Sequence, residues 1–313
     1  MGHSRLKIMY RGSHKIRKLI AGVVLTFEYD SDRIVKEYNS ISEAFYFSES
    51  VSSADHQIYI RISNDRMPVF KHHTLLFNAQ DSWYIYKDDR FYSVVLHPPG
   101  FQTPLWLVRI DHHFSNGIVY CTEHSTHRQN HQVTLYNPLS YPLDQILLMH
   151  YLARIGGMII HSAGWRRNNS GWIFAGKSGA GKSTLSNLIV SETGGTFLSD
   201  DRIAVRKIGQ EYLMYGTPWP GDAGYAVNES VPLKGIFFLN KGIQNDIKRL
   251  TISDAIVRLM PVVSIPWYDR EKVTLMMDFC DALMGCIPMY ELTFKQDKSV
   301  VAVLEQFIHE QSF

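Results

Sequence analysis

Trp172-Ile173-Phe174-Ala175-Gly176-Lys177-Ser178-Gly179-Ala180-Gly181-Lys182-Ser183-Thr184-Leu185-Ser186-Asn187-Leu188-Ile189-Val190 is the stretch whose reading decides the fold. Trp172 to Ala175 reads as a buried strand. It runs straight into Gly176 to Thr184, which matches G-x-x-x-x-G-K-[ST] in full. Leu185, Leu188 and Ile189 then share one side of a helix. Between a strand and a helix this pattern has a physical meaning. Glycines let successive backbone N–H groups turn inward toward a phosphate, and the helix N-terminus adds about half a unit of positive charge. Lys182 should reach the terminal phosphates of a nucleotide, and Ser183 should offer its hydroxyl oxygen to Mg²⁺. The expected nucleotide-binding residues are Gly176, Lys177, Ser178, Gly179, Ala180, Gly181, Lys182, Ser183 and Thr184.

Downstream, Thr196-Phe197-Leu198-Ser199-Asp200-Asp201 is a short apolar strand ending in a pair of acids. A strand end beside a phosphate loop is where a Mg²⁺-binding carboxylate is needed. The pair exceeds what metal binding requires. One acid can serve the metal, directly or through water, and the other can take a proton from an attacking hydroxyl. Further on, Tyr215 to Asp222 is a rigid, turn-rich segment with Pro218, Trp219 and Pro220, suited to walling the acceptor pocket or to packing over the nucleotide. Ser253 is a candidate cap for a helix ended by Pro261, and Pro266 a candidate start for another, with Met276, Cys280 and Leu283 among its apolar positions. Arg249, Arg258 and Arg270 are candidates for charge stabilisation, and spacing does not choose among them.

Upstream, Asp144 can cap a buried helix over Ile146 to Arg154, ended by Gly156-Gly157, with a short strand over Met158 to His161 after it. Before Pro138 the pattern changes. Val23 to Phe27, the alternating Ile58, Ile60 and Ile62, Trp83 to Tyr86, Phe91 to Leu96 and Leu105 to Ile110 all read as strands, with Asp88-Asp89 and Asn116-Gly117 as turns. Helical periodicity is weak, and an antiparallel sheet is expected. The chain therefore divides into residues 1–138, a β-rich accessory or substrate-recognition domain, and residues 139–313, a catalytic domain.

Composition fits this reading. Of 313 residues, 45% are hydrophobic and 20% charged, which excludes a disordered chain. A formal charge of +2 gives no nucleic-acid footprint, and no apolar run approaches the length of a membrane span. The basic, then apolar N-terminus reads as a strand, because Leu19 to Phe27 leads into Glu28 without a cleavage site. Cys121, Cys280 and Cys286 have no zinc spacing and read as buried thiols of a cytoplasmic protein. Adjacent residues on a strand point to opposite faces, so His72-His73 and His112-His113 are not expected to chelate easily as pairs. The run from His124 to Gln132 reads as a solvated loop.

Ile160-His161-Ser162, the loop Gly176 to Ser183, and Ser199-Asp200-Asp201, in this order, resemble the catalytic domain of HPr kinase/phosphorylase over roughly residues 145–240. The whole chain is similar to the HPr-kinase-like proteins associated with peptide modification, such as lasso-peptide kinases, on Tyr141-Pro142-Leu143-Asp144, His161-Ser162-Ala163-Gly164 and Gly216-Thr217-Pro218-Trp219. The resemblance implies a nucleotide-binding fold like that of phosphoenolpyruvate carboxykinase. It also implies ATP and Mg²⁺ as cofactors and phosphoryl transfer to a serine-type hydroxyl of a peptide, protein or small molecule. Asp201 would be the base, Asp200 and Ser183 the metal ligands, and His161 a neighbour of metal and phosphates that orients Asp201 or a phosphate oxygen, with Lys182 assisting transfer. Thr184 replaces the usual Glu, and Val231-Pro232-Leu233-Lys234-Gly235-Ile236-Phe237 departs from the segment linked to phosphorolysis, so the reverse reaction is not expected. Homo-oligomerisation stays open, because the matching segment is too short to carry over the family's hexamer. The competing readings are a carboxykinase-like small-molecule phosphotransferase and a nucleotide-binding regulatory or peptide-binding module with little turnover.

Overall fold

The computed structural model describes residues 9–10, 15–29, 33–36, 40–47, 55–63, 66–68, 74–80, 82–129 and 132–311. The chain forms two compact units, Met1–Tyr151 and Leu152–Phe313. This division runs through the helix Leu143–Arg154, a little beyond the pattern change at Pro138.

The first unit is built on a nine-stranded sheet in the order Tyr46–Phe47, Lys15–Ile20, Val23–Glu28, Gln57–Ser63, Asn116–Cys121, Trp106–Ile110, Tyr92–Leu96, Trp83–Lys87, Thr74–Ala79. Ile58, Ile60 and Ile62 are buried on one face, as their alternation predicts. The sheet is mixed, not antiparallel: Val23–Glu28 and Asn116–Cys121 both run parallel to Gln57–Ser63. Alternation fixes which face is buried and says nothing about the direction of the neighbouring strand.

Asn116-Gly117 lies in a strand, and the turn falls just before it. The Asp111 carboxylate makes that turn, accepting the Ser115 and Asn116 amides at 2.9 Å each, with Phe114 at φ 54°. Gly117 serves a close approach, since a Cβ there would lie 2.8 Å from the Arg109 carbonyl oxygen. Part of the expected loop after His124 is a hairpin, Thr126–Gln129 pairing antiparallel with Gln132–Tyr136. His72, His73 and His131 lie outside the described residues.

Asp144 is not a cap. It sits in the first turn of Leu143–Arg154, and its carboxylate pairs with the Lys18 ammonium at 3.3 Å, both side chains 2% exposed. Lys18 also donates to the Leu139 carbonyl at 2.8 Å.

The second unit carries an eight-stranded sheet. Its order is Ser170–Ala175, Gly157–Arg167, Arg202–Ile208, Glu211–Tyr215, Ser230–Lys241, Met289–Phe294, Asp246–Arg249, with Thr196–Ser199 also paired to Gly157–Arg167. Ser170–Ala175 pairs in addition with Ser230–Lys241, so five of these strands close on themselves. Ser170–Ala175, Ser230–Lys241 and Met289–Phe294 are mutually parallel neighbours.

Both faces of this parallel core are covered. Trp172, Phe174, Phe237 and Leu239 pack with Leu185 and Ile189 of helix Lys182–Thr193 and Leu304 of helix Ser299–Glu310. Ile173, Ala175, Ile236 and Phe238 pack on the other side with Leu259 of helix Ile252–Leu259 and Met276, Cys280 and Leu283 of helix Arg270–Cys286. Two buried faces explain why these strands read as apolar runs. Each fully buried large apolar side chain contributes about 1.5–3 kcal/mol of transfer free energy.

Helix starts differ from the sequence expectation. Thr251, not Ser253, caps Ile252–Leu259 by accepting the Asp254 amide at 3.2 Å, and Asp269, not Pro266, caps Arg270–Cys286. Each residue sits where its oxygen reaches the third residue of the first turn. Of the thiols, Cys280 is buried, Cys121 half-buried and Cys286 exposed. Among the described residues no helix is long and apolar enough to cross a membrane.

Candidate functional site

The glycine-rich loop leaves the carboxyl end of Ser170–Ala175 and enters helix Lys182–Thr193. Gly179 and Gly181 take φ of 81° and 101°, the left-handed region open to glycine. Such residues let neighbouring N–H groups face one concavity. Gly181 caps the helix with no side-chain partner, so the amides of the first turn are left for an external acceptor. Lys182 is buried, and its ammonium donates to the Gly176 carbonyl at 2.9 Å. Burial pulls its pKa below the usual lysine value; the charges of Asp201 and Asp200 oppose this, and that of Arg202 adds to it.

The double aspartate owes its position to one long strand. Gly157–Arg167 pairs through its first half with Arg202–Ile208 and through its second with Thr196–Ser199. Asp200 and Asp201 occupy the bend between these two pairings. The Ser162 amide donates to the Asp201 carbonyl at 3.0 Å, tying the bend to the strand beside His161.

The two acids do different work. Asp200 is 2% exposed, and its carboxylate accepts the Gly221 amide at 2.9 Å, the Ala223 amide at 2.7 Å and the Tyr225 amide at 3.2 Å. It anchors the turn-rich segment after Trp219, which is itself buried. Gly221 is needed at this contact, since a Cβ there would stand 3.0 Å from the Asp200 carboxylate. Asp201 faces the other way. His161 Nε2 lies 2.9 Å from its Oδ1, and Arg202 Nη1 lies 2.9 Å from its Oδ2. Burial pushes the Asp201 carboxyl up, but the hydrogen bond from His161 and the charges of Arg202, His161 and Lys182 outweigh it, and the group is held below its ordinary value.

His161, Lys182, Ser183, Asp200 and Asp201 thus line one cleft of about 310 Å³, together with Ser178, Gly179, Gly181 and Thr184. Gly176, Lys177 and Ala180 line an adjoining cleft of about 470 Å³ on the other side of the loop. Sequence reasoning missed two participants, Arg202 and Lys241. Arg202 follows the acids directly and was hidden by its ordinary place at a strand start. Lys241 lies on the wall of both clefts at the end of the apolar run Ile236 to Leu239, so the strand-end logic that selects Asp200 also selects it. Asp222 lines the first cleft from the anchored segment. Of the three arginines left open, Arg258 alone lines either cleft, and it pairs with Glu291.

Among the described residues no group of three or more His, Cys, Asp or Glu side chains is arranged to hold a metal. The oxygen donors present suit a different arrangement. Mg²⁺ at phosphate sites takes one or two protein oxygens and fills its octahedron with phosphate and water. The Ser183 hydroxyl and the lone pair that the Asp200 amide contacts leave on Oδ2 fit that donor set.

No family model and no curated protein matches the chain. Among solved structures, an Hpr(Ser) kinase/phosphatase from Coxiella burnetii aligns with a TM-score of 0.30 at 11% identity, over 49% of this chain and 90% of that one. This is a weak, partial likeness to a member of that fold family, and the second unit stands as a mixed α/β fold on its own topology.

Proposed function

We propose that the chain is an ATP- and Mg²⁺-dependent kinase that transfers the γ-phosphoryl group to a serine-type hydroxyl of a peptide, protein or small molecule. The second unit is the catalytic domain, of the HPr-kinase-like, phosphoenolpyruvate-carboxykinase-like kind. The observation that carries this reading is the shared cleft: a buried lysine and open helix-start amides face an ionised aspartate held on both oxygens. Binding alone has no use for the second acid.

Loop N–H groups and Lys182 hold the phosphates and offset charge on the transferring group. Ser183 and Asp200 would hold Mg²⁺, which would supply positive charge to offset that of the phosphates. The acceptor oxygen attacks phosphorus as the bond to the β-phosphate oxygen breaks, and its proton passes to the Asp201 carboxylate. His161 and Arg202 orient that carboxylate.

The test is incubation of the protein with Mg²⁺, ATP and a pool of serine-containing peptides, read by mass spectrometry. A mass gain of one phosphoryl group, absent with Lys182→Ala, is expected. The absence of both ADP formation and any mass gain would overturn the reading.

A further inference from the structure

Lys241 ends strand Ser230–Lys241, the parallel neighbour of Ser170–Ala175, which feeds the glycine-rich loop. Its backbone is fixed. Lys241 pairs with Phe294 in the ladder to Met289–Phe294, and the Gly242 amide donates to the Phe294 carbonyl at 3.0 Å. Successive side chains of a strand alternate in direction. Phe237 and Leu239 pack on the side of helix Lys182–Thr193, and Phe238 packs on the other. Lys241 therefore leaves the strand on the side of that helix, from the sheet edge at which open α/β folds take ligands.

Among the described residues, only Ser178, Gly179 and Lys241 line both the transfer cleft and the adjoining cleft. Lys241 is thus the one charge at the junction. The other cations around it are committed. Lys182 donates to the Gly176 carbonyl, His161 and Arg202 hold Asp201, and Arg258 is paired with Glu291. Lys241 is exposed, and among the described residues its ammonium has no hydrogen bond or ion pair. Its charge has no structural partner to serve.

The transfer breaks the bond between the γ-phosphorus and the bridging oxygen. The electron pair stays on that oxygen, which becomes a terminal oxygen of the β-phosphate, while the acceptor oxygen bonds to phosphorus and its proton passes to Asp201. Asp201 marks the γ end, so the bridging oxygen lies back over the loop, toward the junction. A cation there meets charge that grows only as the bond breaks, the condition for lowering a barrier without merely tightening binding. We infer that Lys241 is a catalytic residue of the transfer, its ammonium stabilising the negative charge that develops on the β–γ bridging oxygen. This rests on the kinase reading above and adds to the loop-borne Lys182 a second cation, carried by a different strand.

The test separates the leaving group from general phosphate binding, in wild type, Lys241→Met and Lys241→Arg. Calorimetry gives the affinity of the full chain for Mg-ATP and for Mg-ADP. Quenched flow gives the single-turnover rate of ADP formation, with enzyme in saturating excess over ATP and serine-containing peptides as acceptor. Methionine keeps an unbranched stem at an exposed strand end and removes only the charge, so the fold is preserved. Lys241→Met should slow the single turnover about 10²-fold, weaken Mg-ADP about fivefold or more, and change Mg-ATP less than about threefold. Lys241→Arg keeps the charge and should recover most of the lost rate. An unchanged rate in Lys241→Met, an ATP loss as large as the ADP loss, or a rate in Lys241→Arg as low as in Lys241→Met overturns the inference and leaves the kinase reading in place. A wild type that forms no ADP overturns the kinase reading and the inference with it.

Discussion

His161 and Asp201 are joined through Nε2 and Oδ1 at 2.9 Å, while the neighbouring Asp200 turns its carboxylate into three backbone amides. Adjacent acids have thus been given separate tasks by one bend in a strand. Asp201→Asn keeps size and removes the proton acceptor. Turnover should fall about 10²–10⁴-fold, with Mg-ATP affinity by calorimetry within about twofold of wild type. Near-normal transfer at saturating acceptor would reduce Asp201 to a structural partner of His161.

With Asp201 as the proposed proton acceptor, its lowered pKa should set the acid side of the activity profile. Its partners favour the ionised form, so the base stays competent until pH falls through a value below the ordinary 3.8. A group lowered in the folded state also contributes stability above its unfolded pKa, and that contribution is lost as pH falls through the folded value. In kcat/KM against pH, Arg202→Gln should move the acid limb upward, because one of the charges holding the carboxylate down is gone. An unmoved limb would show that Asp201 does not govern it.

Asp200 should matter for stability as well as for binding. Hydrogen bonds to charged groups contribute about 1.5–3 kcal/mol each, and an exposed loop recovers part of that from water. Asp200→Ala should therefore cost about 2–4 kcal/mol in urea unfolding. Asp200→Asn retains Oδ1 for Gly221 and Tyr225 and loses only the Ala223 contact, so its cost should be smaller. Equal losses for the two variants would contradict the anchoring role. In Asp200→Asn the dependence of ATP binding on Mg²⁺ should also weaken.

Lys18 and Asp144 form a buried pair in the first unit, with side chains 2% exposed. Removing one partner of such a pair leaves an uncompensated charge and costs about 3–5 kcal/mol. Asp144→Ala should lower stability by that order in chemical denaturation. The double change Lys18→Met with Asp144→Leu should recover much of it. No recovery would mean that the ion pair is not the source of the loss.

The sequence made the second unit's core and its loop legible because both are local. Trp172 to Ala175 must be buried, Gly181 must turn, and Leu185 and Ile189 must face the sheet, all within a few residues. The pairing of His161 with Asp201 was legible only as a juxtaposition implied by resemblance. What brings them together is the shared strand Gly157–Arg167, a register between segments far apart in sequence. Direction in the first unit's sheet was illegible for the same reason: Ile58, Ile60 and Ile62 mark a buried face whether the neighbours run parallel or antiparallel. The split between Asp200 and Asp201 was hidden too, because two identical side chains are told apart only by the bend that turns one inward. Asp144 looked like a cap since acids favour helix starts, and its distant partner Lys18 cannot be read from local sequence.

Gly181 offers the sharpest test of loop geometry. Its φ of 101° is outside the range other residues adopt easily, and a Cβ there would lie 2.9 Å from the tip of the buried Phe294 ring. Gly179, at φ 81°, has nothing within 4 Å of its notional Cβ. Both alanine variants carry a backbone penalty of about 1–3 kcal/mol, but only Gly181→Ala adds a clash. Gly181→Ala should therefore lower Tm further than Gly179→Ala and weaken ATP at least tenfold, since the ring cannot yield without moving the loop amides. Phe294→Leu is costly alone, because the ring is fully buried, yet it removes the obstacle. In a double-mutant cycle the pair Gly181→Ala with Phe294→Leu should be less destabilised than the sum of the singles. Strict additivity would mean that the glycine is required for its backbone angle alone and that the Phe294 ring plays no part in shaping the phosphate loop.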